Sequence, residues 1–122
     1  STQAIEILKQ LKLLTGHQTW VVKSPNQIDK PLSENAFLNL LKRIGMTQDT
    51  TVHGLRATAS TFLNEHGYRS DVIERQLAHV EKDQVRKAYN HAEYWEERSA
   101  MSQFWADHID QELKSYTSST VQ

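Results

Sequence analysis

Four residues stand out as capable of chemistry together: His53, Arg56, His79 and Tyr89. His53 and Arg56 lie in the run His53-Gly54-Leu55-Arg56, three positions apart, so on a helix they share a face. The run opens an apolar-periodic stretch. It therefore sits at a helix N-terminus, where backbone N–H groups and the helix dipole favour an anion. A guanidinium adds a planar fork that matches phosphate oxygens. The same four residues fit equally well a capping histidine and a surface arginine. Tyr89 follows the basic residues Lys82, Arg86 and Lys87. A phenol is a weak nucleophile at its ordinary pKa of about 10 and needs positive charge nearby. Taken alone, Tyr89 reads as a half-buried packing residue.

These side chains need helices to hold them, and helical spacing runs through most of the chain. Ile5, Leu8, Leu11 and Leu14 predict a helix ended by Thr15-Gly16. Trp20-Val21-Val22 predicts a brief strand or extended segment, and residues 24–31, which hold Pro25 and Pro31, predict a loop. Ser33 reads as an N-cap with Glu34 in the first turn. Phe37, Leu38, Leu41 and Ile44 then form an apolar face that stops at Gly45. Residues 53–66 predict a helix with Leu55, Ala59, Phe62 and Leu63 inward, ended by Gly67. Asp71 and Glu74 have capping-box spacing and open a helix through Leu77. A polar turn follows at 81–83 and a helical turn at 85–88. Residues 93–113 predict a long amphipathic helix on Trp95, Ala100, Met101, Phe104, Trp105 and Ile109. Residues 115–122, rich in Ser and Thr, predict a disordered tail. The expected fold class is mainly α, with at most a short β segment near residues 18–23.

The chain has 122 residues, the size of one small domain. It has no cysteine, which excludes disulfides and thiolate metal sites. It has no apolar run of membrane-spanning length and no signal peptide, so no membrane partner is expected and a cytoplasmic location is the default. The net charge of -1 lacks the basic excess usual for nucleic-acid binding, although a basic surface can be local. The chain opens on Ser1-Thr2-Gln3-Ala4 without Met, which reads as an internal start and hence a fragment.

The order of the motifs is more specific than any one of them. His53-x-x-Arg56, then Leu77-Ala78-His79, then Tyr89 ten residues on, resembles the signature of the tyrosine recombinases. The phrases around them, His-Gly-Leu-Arg-Ala-Thr-Ala-Ser-Thr, Asp-Val-Ile-Glu-Arg-Gln-Leu-Ala-His and Ala-Tyr-Asn-His-Ala-Glu-Tyr, are similar to those of prophage and genomic-island integrases. The resemblance runs from about residue 3 to residue 110, takes in Pro31-Leu32-Ser33-Glu34-Asn35, and corresponds to the C-terminal part of the catalytic domain, here residues 1–114.

That resemblance implies site-specific recombination of double-stranded DNA attachment sites by a tetramer of the full-length protein. It implies no cofactor, metal or small-molecule substrate. Tyr89 would attack the phosphorus, form a 3′-phosphotyrosyl link and release a 5′-hydroxyl. Arg56 would hold the non-bridging oxygens. His53 would act as acid/base or phosphate contact, and His79 would hydrogen-bond the phosphate. The family also uses an earlier arginine and a hairpin lysine. Both are expected upstream of Ser1, since Lys9, Lys12 and Lys23 stand in the wrong context, so the fragment alone is expected to be inactive. Topoisomerases of the related fold share the chemistry, but the wording around Tyr89 favours an integrase.

The alternatives are a non-catalytic DNA-binding or assembly module derived from a recombinase, a structural helical domain, and a metal enzyme using His53, His79 and His91. The last lacks HExxH and a paired-carboxylate pattern. Trp95, Phe104 and Trp105 could meet a neighbouring protomer, but folding back on the chain's own core is favoured.

Overall fold

The structure, a computed structural model, describes residues 1–78 and 93–120. The turn expected at 81–83, the helical turn at 85–88, and His79, Tyr89 and His91 lie outside the described residues. The fold is mainly α, as expected. Five helices are described: α1 (Thr2–Thr15), α2 (Ala36–Arg43), α3 (Val52–Glu65), α4 (Ser70–Gln76) and α5 (Trp95–Thr120), with a short 3₁₀ turn at Met46–Gln48. The chain divides into two compact units, Thr2–Leu55 and Arg56–Gln122, the latter grouped with Ser1.

In the first unit, α1 ends at Thr15, and the Gly16 N–H closes the last turn on the Lys12 carbonyl at 2.8 Å. No strand forms at residues 20–22. One antiparallel bridge, Lys23 with Pro31, is the only β pairing among the described residues. It is supported by Ser24 N–H to Lys30 O (2.8 Å), Leu32 N–H to Val22 O (3.1 Å), and the Trp20 indole donating to Asp29 O (3.1 Å). Ser33 does not cap α2, because its carbonyl accepts the Ala36 N–H in a turn and the helix starts at Ala36. Gly45 ends it in the left-handed region (φ 76°), where a side chain is disfavoured. Leu41 is buried, yet Ile5, Leu8, Leu14, Phe37 and Ile44, expected on inward faces, are each more than half exposed.

The second unit has the denser core. Leu63, Val72, Ile73 and Met101 are buried, with Phe62, Tyr68, Leu77, Tyr94 and Trp105 packed against them. Burying side chains of this size stabilises by roughly 1.5–3 kcal/mol each. Gly67 (φ 79°) ends α3 and lets the chain turn back into α4. The capping box expected from Asp71 and Glu74 is absent. Arg69 is the extended N-cap residue and makes no side-chain cap. Asp71 instead takes a bidentate pair from Arg69 and accepts the Val72 N–H. Leu55, the last residue of the first unit and expected inward, is half exposed.

α5 runs on through Thr120, where the sequence predicts a disordered tail from residue 115. The hydroxyls of Ser115, Thr117, Ser118 and Ser119 donate back to carbonyls three or four residues earlier. Side-chain to backbone bonds of this kind satisfy hydroxyls along a helix. Phe104 and Trp105 fold back within this unit. The Phe62 ring lies 5.8 Å from Phe104 and 5.2 Å from Trp105, and stacks with His66 and His108. Trp95 is largely exposed.

Candidate active site

The N-terminus of α3 is built by a residue type suited to it. Thr51 precedes the helix, and its Oγ1 accepts the Gly54 N–H at 2.8 Å, a cap on the third helical residue. Gly54 suits this arrangement, because a Cβ there would lie 3.2 Å from the Thr51 hydroxyl and 3.3 Å from the Thr50 hydroxyl. A Ser or Thr before an apolar-periodic run is the sequence signal for such a cap. His53 occupies the first turn and is exposed.

Arg56 follows three positions later on the same helix and is half-buried. Its Nη2 donates to the carbonyl of Leu77. Leu77 is the C-cap of α4. Helix-end carbonyls lack intrahelical donors and attract cations, so a guanidinium is well matched to this position. One arm of the fork is committed to the protein. A guanidinium carries further N–H donors, of the kind that pair with oxyanions.

After Leu77 the chain changes direction. The Leu77 N–H closes on Ile73 O (2.9 Å) and the Ala78 N–H on Arg75 O (3.2 Å). Ala78 adopts φ 50°, in the left-handed region that a Cβ disfavours. Such a conformation persists where the surroundings impose it. His79 is the next residue in the chain, so Arg56 is tied two residues from it in sequence. The structure thus describes His53 and Arg56 of the expected set, while His79 and Tyr89 lie outside the described residues.

Polar groups that sequence reasoning passed over flank this region. Arg98, in the first turn of α5, donates through Nε to Gln76 Oε1 (2.9 Å), and through Nη1 to Glu93 O (3.1 Å) and Glu93 Oε2 (3.4 Å). Arg75 pairs with the other Glu93 oxygen. Arg69 pairs with Asp71 (2.7 Å) and Glu97 (3.3 Å) and lies 5.0 Å from the Tyr94 ring centroid. The Arg69 hydrogen bond holds the Asp71 carboxyl below its usual range and, with the Asp71 charge, raises the guanidinium. The sequence signals for this network were only isolated charges, with no periodicity linking them. Among the described residues no cluster of three metal-ligating side chains occurs.

A family model described as the phage integrase family matches residues 3–96. The chain belongs to the phage integrase family. It is similar to the prophage integrase IntA of Escherichia coli K12, at 43% identity over 107 residues, covering 88% of this chain and 26% of that protein. It is 41% identical over 115 residues to the integrase of Shigella phage Sf6, covering 93% of this chain and 30% of that protein. It is 47% identical over 111 residues to the prophage integrase IntZ of Escherichia coli K12, covering 90% and 27%. The chain therefore spans between 26% and 30% of the length of these integrases. No solved structure matches the chain significantly. The membership bears out the tyrosine-recombinase resemblance of the motifs. Among the described residues no helix is long and apolar enough to cross a membrane.

Proposed function

We propose that this phage-integrase chain forms part of a site-specific recombinase that cuts and rejoins duplex DNA through Tyr89. The phenolic oxygen attacks the phosphorus and loses its proton. The bond to the 5′ oxygen breaks, and that oxygen leaves as a hydroxyl. Reversal with a different 5′-hydroxyl joins a new strand, so the energy of the phosphodiester is kept in the phosphotyrosyl bond. Arg56 stabilises charge on the non-bridging oxygens, His53 serves as acid/base or phosphate contact, and His79 hydrogen-bonds the phosphate. Fixed donors aimed at developing charge are the main source of rate in this type of chemistry. The longer protein, with its own further arginine and lysine, is the acting form on attachment sites, and it assembles as a tetramer.

The observation that best supports this reading is the Arg56–Leu77 hydrogen bond. It holds the guanidinium of His-x-x-Arg at the helix end from which the chain runs on to His79. A surface arginine needs no such anchor. The test is a nicked DNA carrying the element's attachment site, incubated with the longer protein and resolved under denaturing conditions. A covalent protein–DNA band that is lost in Tyr89→Phe supports the reading. DNA binding without such a band favours a non-catalytic module.

A further inference from the structure

Arg56 is anchored on a carbonyl at the end of a short helix, and that helix end is itself held from α5. α4 has only seven residues, and helices of this length are not stable on their own. Its first half is secured by Val72 and Ile73, both buried in the core. Its last turn is not: Glu74, Arg75 and Gln76 are exposed, and only Leu77 packs against the core. Just beyond, Ala78 is left-handed at φ 50°, a conformation that the surroundings must impose.

Two side-chain links tie this turn to the start of α5. Arg98 Nε donates to Gln76 Oε1 at 2.9 Å, and Gln76 is the neighbour of Leu77, whose carbonyl takes Arg56. Arg98 Nη1 donates to Glu93 O (3.1 Å), and Arg75 pairs with the Glu93 carboxylate. The Arg98 N–H closes on Tyr94 O at 2.8 Å, which fixes its backbone. At 18% exposure, Arg98 is the least exposed of the ion-paired side chains among the described residues. Exposed ion pairs contribute little to global stability, and Val72 and Ile73 already fasten α4. The Arg98 bond adds control over the tilt of the last turn, and so over the direction of the Leu77 carbonyl. A carbonyl accepts well only over a limited range of directions. A reacting group displaced by about 1 Å can lose on the order of 100-fold in rate.

We propose that Arg98, acting through Gln76 and the Leu77 carbonyl, is a positioning residue that sets the guanidinium of Arg56 for its phosphate. Neither Arg98 nor Gln76 is a catalytic residue. This role rests on the reading of Arg56 as the group that holds the non-bridging oxygens.

The first test follows hydrogen exchange by NMR in the 122-residue chain. In Gln76→Ala, a substitution at an exposed position, the Arg56 guanidinium protons are expected to exchange about 5-fold faster or more, with the backbone amides of Leu63 and Met101 unchanged. Arg98→Gln should give the same pattern. The second test is a double-mutant cycle in the longer protein, read as the rate of covalent complex formation at saturating DNA. Gln76→Ala should lose about 10-fold or more in the wild-type background. In an Arg56→Lys background it should lose less than about 3-fold, because the fork it positions is already gone. A merely structural role would lower the rate by the same factor in both backgrounds, and that result overturns the proposal. So does unchanged exchange at Arg56, or a rise that extends to Leu63 and Met101. A wild-type protein that forms no covalent complex overturns the recombinase reading instead, and the exchange pattern then decides the link from Arg98 to Arg56 alone.

Discussion

Replacing Arg56 separates its two duties, because one arm of its fork is spent on the protein. In Arg56→Met the Leu77 carbonyl, at a half-buried helix end, loses its cationic donor. Leaving such an acceptor unpaired costs about 1–3 kcal/mol, toward the lower end where water can reach it. For a chain of this size that corresponds to a fall in melting temperature of roughly 4–12 °C. Arg56→Lys keeps the charge but offers one compact ammonium, which can serve the carbonyl or a phosphate but lacks the fork to serve both. It should melt within about 1 kcal/mol of the wild type. In the longer protein it should cut attachment-site DNA more slowly by on the order of 10²–10³-fold. Circular dichroism melts and rates of covalent complex formation read the two duties separately. A Met variant that melts like the wild type would refute the anchoring role of Leu77, and a Lys variant that cuts at the wild-type rate would refute the need for the fork.

Three further substitutions test the framework around the site. Met101→Ala opens a cavity in the most buried cluster of the second unit and should cost about 2–5 kcal/mol in urea unfolding. Thr51→Ala removes the cap on Gly54 and should cost about 1 kcal/mol, seen as lower helicity and a lower melting temperature. Asp71 carries a depressed carboxyl, first through its hydrogen bond to Arg69. A carboxyl whose folded pKa is lowered contributes stability that is present above its unfolded value and disappears as pH falls toward the folded one. The advantage of the wild type over Asp71→Asn should therefore shrink between about pH 5 and pH 3 in denaturant melts. An advantage that grows over that range contradicts the ion pair.

The helices were legible because their signals are local. Gly16, Gly45 and Gly67 stand where helices end, and the latter two need the left-handed conformation that glycine provides. Helix starts were read less well. Ser33 and Asp71 have side chains that can cap, but α2 starts only at Ala36, after a turn on the Ser33 carbonyl, and the Asp71 carboxylate is paired with Arg69. Periodicity identified the apolar faces of α1 and α2 correctly as faces. It carries no information on whether anything covers them, and Ile5, Leu8 and Phe37 are exposed. The extent of α5 was missed because Ser and Thr are poor helix formers taken singly, while their hydroxyls here find carbonyls within the helix. His53 and Arg56 were found from spacing and motif order. The tie from Arg56 to Leu77 and the bond from Arg98 to Gln76 join residues more than twenty positions apart, a separation no local pattern encodes.

The most direct measurement of the central claim is the covalent complex itself. The longer protein, wild type and Tyr89→Phe, is incubated with nicked attachment-site DNA and the adduct is digested and sequenced by mass spectrometry. The account predicts a 3′-phosphotyrosyl peptide containing Tyr89, and no adduct in the phenylalanine variant. An adduct on another residue, or one that persists in Tyr89→Phe, would contradict it.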